Sequence, residues 1–175
     1  MVANLIKFVP NRSQLLDGIR HVVYEYGNLM AAGHYSIWGD APWRTNCDDA
    51  FLLGCRKLGD FLQDKQRSKR QGRELDDILE LDYLNQNPAQ TWQLPIWNNE
   101  WREAMNKQLA HISYDRSKEW DHLKWVQKLS DEFNKAWWDF RDAVTDKDYN
   151  KEFDKQLQEC REKEGFRNNI ALNRR

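Results

Sequence analysis

From Leu123 to Val144 the apolar residues fall three and four positions apart, and this rhythm limits what the chain can fold into more than any other feature. Leu123, Val126, Leu129, Phe133, Trp137, Phe140 and Val144 share one face of an α-helix, because 3.6 residues complete a turn. A strand would scatter the same residues over both of its faces. No segment shows the period-two alternation of a half-buried strand. A helix with one apolar stripe must bury it against other helices, so the expectation is an all-α fold.

The same spacing recurs elsewhere. After Pro10, Asn11 followed by Gln14 forms the pattern of a capping box. Leu15, Leu16, Ile19, Val22, Val23, Tyr26, Leu29 and Met30 then predict a first helix, with Gly33 as its end. His34 to Arg44 reads as an ordered connector. Thr45-Asn46-Cys47-Asp48 opens a second helix with Asp48 as the third helical residue. Phe51, Cys55, Leu58 and Leu62, widened by Phe61, are its stripe, and Gly54 in that stripe allows a close crossing. Trp97, Trp101, Met105, Leu109 and Ile112 predict a third helix, and Ser117 is placed to cap the helix that holds Leu123 to Val144. A last helix is expected from Asp146 to Glu164, with Tyr149, Phe153, Leu157 and Cys160 on one face and Gly165 as its stop.

These elements make residues 1–175 a single antiparallel bundle of four to five helices. It carries a basic-then-acidic loop at about 63–95 and a charged terminal helix and tail at about 146–175. The basic run Asp64 to Arg73 reads as a solvated helix end and loop, with a phosphate-binding loop as the alternative. The acidic residues Asp76, Asp77, Glu80 and Asp82 are expected to be exposed or paired with nearby arginines.

Charge and composition exclude several functions. The 27 basic and 28 acidic side chains nearly cancel, which argues against a protein held to extended nucleic acid by bulk electrostatics. No apolar run reaches the ~20 residues of a membrane span, and Met1 to Lys7 lacks the pattern of a secretory signal. A cytoplasmic location is expected, without a membrane partner. Cys47, Cys55 and Cys160 fit neither a disulfide framework nor a zinc knuckle. His21, His34, Cys47 and the acidic run have no metal-ligand spacing, and neither a metal nor another cofactor is expected. The 9 tryptophans are read first as packing between helices, and second as a ligand cage or partner surface.

The nucleotide-loop, nucleophile-elbow and zinc-protease motifs are absent. Chemistry concentrates instead between Arg102 and Arg116, where His111 sits beside the apolar stripe near a helix end. Arg102, Asn106, Lys107, Tyr114 and Arg116 surround it in sequence. An imidazole near cations can move a proton during phosphodiester cleavage while the cations stabilise charge on phosphorus. The alternative is structural: His111 donates to a backbone carbonyl at the helix end, with Tyr114 packed over it.

Asn106-Lys107-Gln108-Leu109-Ala110-His111-Ile112-Ser113-Tyr114-Asp115-Arg116 resembles the NKxxAHLTYxR signature of an uncharacterised family of bacterial helical proteins. Phe51 to Leu62 resembles that family's FLLxxRxLxDFF segment, and Asp76 to Leu84 its DDVLAxDYL segment. The same stretch is similar to the HEPN superfamily of helical bundles from toxins and defence systems. That resemblance implies a metal-independent ribonuclease working as a homodimer through an Arg-x(4–6)-His motif. His111 would be the acid/base, with Asn106 standing where the superfamily has its arginine. Arg102 and Arg56 would face the phosphate, with Lys107, Tyr114 and Arg116 in support. Two functions lead as expectations: a HEPN-like ribonuclease or RNA-binding protein, or a non-catalytic bundle that binds a second copy or another protein. Small-molecule binding in a pocket between helices, lined by aromatics and by His111 or Arg56, stands behind them.

Overall fold

The computed structural model describes residues 7–40, 43–63, 69–70, 73–74, 76–84, 103 and 122–162. Four long helices dominate: α1 (Arg12–Trp38), α2 (Trp43–Gln63), α3 (His122–Ala143) and α4 (Lys147–Glu162). The all-helical expectation holds. Lys69–Arg70 and Arg73–Glu74 pair as an antiparallel ladder two residues long, too short to build a sheet layer or to leave a periodic trace in the sequence.

The start of α1 follows its sequence. The Asn11 side chain accepts from the Gln14 backbone N–H at 3.0 Å, and the Asn11 backbone N–H donates back to the Gln14 side-chain Oε1 at 2.9 Å. Two otherwise orphaned groups are satisfied together. The end departs from expectation. Gly33 lies inside the helix, which continues to Trp38 and is capped at Gly39, where the N–H donates to the Tyr35 carbonyl at 2.8 Å. A Cβ at Gly39 would collide with that carbonyl. Gly33 instead serves packing. A Cβ there would come within 2.6 Å of Ser130 Oγ and 3.0 Å of the Phe51 ring, so the glycine lets α1 approach α2 and α3 together.

The second helix also starts earlier than expected. It opens at Trp43, which makes Asp48 an interior residue rather than part of a cap. Asp48 accepts from the buried Ser36 hydroxyl at 2.7 Å and so ties α2 to α1. Gly54 does mark a close crossing: a Cβ there would lie 3.2 Å from Leu29 Cβ and 3.3 Å from its Cα. Lys57 and Glu25 pair at 2.8 Å further along the same contact. Rising numbers on α1 meet falling numbers on α2, so the two helices are antiparallel.

The stripe of α3 is buried along its described length, with Leu129, Phe133, Trp137 and Phe140 at 0% exposure. Tyr26 of α1 stacks on Trp137, rings 4.4 Å apart and 7° from parallel. Its hydroxyl donates to Asn134 at 2.6 Å, and burial pushes the Tyr26 phenol above its ordinary pKa. Gly33 meets Ser130 and Tyr26 meets Asn134, so α3 runs antiparallel to α1. It is therefore parallel to α2, and these two helices are not hairpin partners.

The expected face of α4, Tyr149, Phe153, Leu157 and Cys160, is buried. The helix belongs to the core and not to an outer layer. Asp146 caps it by accepting from the backbone N–H groups of Asp148 and Tyr149. Arg12 clamps Asp146 and Asp148 from α1 at 3.0 and 2.6 Å. Arg141, buried at the α3–α4 corner, donates to Asn150 at 3.0 Å and Asp154 at 2.8 Å and lies over the Phe153 ring at 4.3 Å.

Residues 76–84 close one end of the bundle through a 3-10 turn, Glu80–Asp82. Tyr83 is fully buried among Phe61, Phe140, Tyr149 and Phe153, and its hydroxyl donates to the Leu15 carbonyl at 3.0 Å. Asp76 and Asp77 are exposed as expected, whereas Glu80 is buried at 1%. It lies just after Leu79 in a turn whose next residues carry Tyr83 into the core, so the turn takes the carboxylate inward with it.

Candidate functional site

The sequence concentrates candidate chemistry at Arg102, Asn106, Lys107, His111, Tyr114 and Arg116, and all six lie outside the described residues. So do the predicted third helix apart from Glu103, the Ser117 cap and the Gly165 stop. Arg56 is the expected site residue that the described structure places. It is exposed on the outer face of α2, with no acidic partner among the described residues. Among the described residues no group of three or more His, Cys, Asp or Glu side chains is arranged to hold a metal ion. No described helix is long and apolar enough to cross a membrane. Cys47, Cys55 and Cys160 are free thiols, and burial raises the Cys55 pKa well above its ordinary value.

Two surface features stand out among the described residues. The first is a cavity of about 220 Å³ between the start of α1 and residues 76–82. Gln14, Asp17, Gly18 and His21 line it from α1, and Asp76, Asp77, Ile78 and Asp82 from the other side. Part of its polar character is structural, since Asp82 accepts from the Leu79 N–H at 2.9 Å. Gly18 brings the walls together: a Cβ there would sit 2.8 Å from both Ile78 Cδ1 and Tyr83 Oη.

The second feature is a row of exposed aromatic side chains on α1. Tyr24, Tyr35 and Trp38 are 53%, 42% and 74% exposed on α1. At 100° per residue they fall within about 60° of one another, with Ala31 among them, on the side opposite Val22, Tyr26 and Leu29. The helix therefore has two apolar faces. One fills the core, and the other carries three aromatic rings into solvent. Leu53 of α2, 45% exposed, lies one turn from Lys57, whose ion pair with Glu25 borders this face.

An exposed aromatic stripe is unusual, because large rings lose most by remaining in water and contiguous apolar patches on isolated proteins are small. The expectation that tryptophans serve packing holds for Trp137, which is fully buried, and fails for Trp38. Gly33 has the position of a helix stop in the sequence, which puts Trp38 in a connector. With α1 extended to Trp38, the spacing Tyr24, Ala31, Tyr35, Trp38 is itself the signal that identifies the second face. Ending the helix five residues early hid it.

No protein-family model, curated protein or solved structure matches the chain.

Proposed function

We propose that this protein is a non-catalytic interaction module, a helical bundle that docks a protein partner on the outer face of α1. The observation that carries the reading is the exposure of Tyr24, Tyr35 and Trp38 on one side of a helix whose other side is already fully used by the core. Tyrosine and tryptophan give large contact area for little lost side-chain freedom, and they are enriched at the centres of interfaces. The face is presented by a helix fixed at its start by a capping box and along its length by α2, α3 and α4, so little ordering is needed on binding. A reducing cytoplasmic setting goes with this reading and is supported by three free cysteines.

The test is a photocrosslinking amino acid, p-benzoyl-phenylalanine, introduced at Tyr35 in living cells, with the same residue at exposed Lys151 on α4 as the control. A discrete protein adduct from Tyr35 and none from Lys151 is the expected result. Equal or absent crosslinking at the two positions contradicts the reading.

A HEPN-like ribonuclease is the second reading. It is supported by the exposed Arg56, which has no acidic partner among the described residues, and by the spacing of Asn106 and His111. In it His111 moves the proton, and Asn106, Arg102 and Arg56 face the phosphate. The protein would cleave RNA after EDTA treatment, and His111→Ala would abolish cleavage with the fold intact. Intact RNA after prolonged incubation with wild type contradicts it.

A further inference from the structure

We infer that the cavity between the start of α1 and residues 76–82 binds a small organic cation, an ammonium or guanidinium group carried on a short aliphatic stem. Size sets the first limit. At about 220 Å³ the cavity exceeds the ~30 Å³ share of a water molecule severalfold and falls below the ~300 Å³ of the smallest drug-sized pockets. A chain of a few carbons with one polar head fits that range.

The lining selects both stem and head. Phe8, Pro10, Leu15 and Ile78 supply apolar wall, which a hydrocarbon stem covers at a gain. The ionisable groups are the His21 imidazole and the carboxylates of Asp17 from α1 and Asp76, Asp77 and Asp82 opposite. No lysine or arginine is among the lining residues, so a phosphate or carboxylate guest would meet repulsion from both walls. A metal ion is disfavoured for a different reason. Among the described residues no three His, Cys, Asp or Glu side chains converge as coordination requires. An organic cation needs less, because one or two carboxylates beside its head satisfy it. Asp82 is already committed to the Leu79 N–H. Asp17 and Asp76 are exposed, stand on opposite walls, and have no hydrogen-bond or ion-pair partner among the described residues.

The walls are formed before any guest arrives. Gln14 is held in the capping box with Asn11, and the Leu15 carbonyl accepts from the Tyr83 hydroxyl at 3.0 Å. Gly18 leaves no room for a Cβ against Ile78 and Tyr83. Binding therefore costs little ordering. The exposed carboxylates keep the head partly in water, where ion pairs are weak, and dissociation is expected on the order of millimolar.

Amide nitrogen–proton spectra of the full labelled chain test this, with n-butylamine as the probe and butyrate and n-butanol as controls of equal length. Butylamine should give saturating shifts at Asp17, Gly18 and Ile78. Butanol should bind at least about threefold more weakly, and butyrate not at all. Asp17→Asn combined with Asp76→Asn should weaken butylamine about threefold to tenfold and leave butanol unchanged. Both side chains are exposed, and unchanged shifts at the buried Phe133 and Phe153 amides verify the fold of the variant. Agmatine and N-acetyl-lysine methylamide separate two sources of such a head, a free amine and a lysine side chain of a protein. The tighter of the two names the source, and either supports the site. The inference is overturned by an absence of shifts up to about 50 mM butylamine or by equal binding of butyrate and butylamine. A double variant that binds butylamine as wild type does overturns it as well.

Discussion

Asp146 shows how one side chain can join two helices. Its carboxylate caps α4 through two backbone N–H groups and also receives Arg12 from α1. The Arg12 hydrogen bonds, then the Tyr149 backbone N–H, hold its pKa below the ordinary carboxylate value. Folding thus favours the ionised form. The contribution is complete above the unfolded-chain value of about 4 and is lost as pH falls through the lowered folded-state value. Chemical denaturation at a series of pH values should show stability falling below about pH 4, with a shallower fall in Asp146→Asn, which keeps an acceptor for the cap but not the charge. An identical slope in the variant contradicts this. Tyr26 is the second residue with a sharp expectation. Its hydroxyl is the donor to the buried Asn134 carbonyl oxygen, so Tyr26→Phe should cost about 1–3 kcal/mol in urea unfolding. Tyr26→Phe combined with Asn134→Leu should cost less than the sum of the two single changes.

At the scale of the helix, glycines matter through what approaches them. Gly54 sits against Leu29 Cβ and Cα, and one of those atoms is backbone that cannot rotate away. Gly54→Val should destabilise by about 1–3 kcal/mol, measured as a lowered denaturation midpoint, despite valine's better helix propensity. An unchanged midpoint would mean that the α1–α2 crossing is looser than described. The same logic explains what the sequence revealed and what it hid. The buried faces of α2, α3 and α4 were legible because a stripe at three-and-four spacing has one physical use. The capping box at Asn11 was legible because both partners are local. The end of α1 was not, since glycine at a helix crossing and glycine at a helix stop look alike until Phe51 and Ser130 are seen beside Gly33. Asp48 was misplaced for a related reason: its partner, Ser36, belongs to another helix. The burial of Glu80 depends on Tyr83 being drawn inward, which is a tertiary fact. The outer aromatic face was present in the spacing all along and was masked by the misplaced end of α1.

Among the described residues, a tightly used interior stands against an outer α1 face that the core does not use. Aromatic rings from α2, α3, α4 and the 76–84 segment meet edge to face around Tyr83, Phe140 and Phe153, an arrangement that favours one packing over many. Hydrogen bonding in that interior is not complete: the indole N–H of Trp137, like Ser130 Oγ and Arg141 Nε, has no hydrogen-bond partner among the described residues, although the Trp137 ring is stacked on Tyr26. Against that interior, Tyr24, Tyr35 and Trp38 remain in water. The direct measurement of that contrast is the photocrosslinking yield at Tyr35 set against Lys151 in living cells, repeated with Trp38→Glu. A discrete adduct from Tyr35 that Trp38→Glu abolishes, with none from Lys151, is the predicted result. Crosslinking at Tyr35 no stronger than at Lys151 would contradict the account.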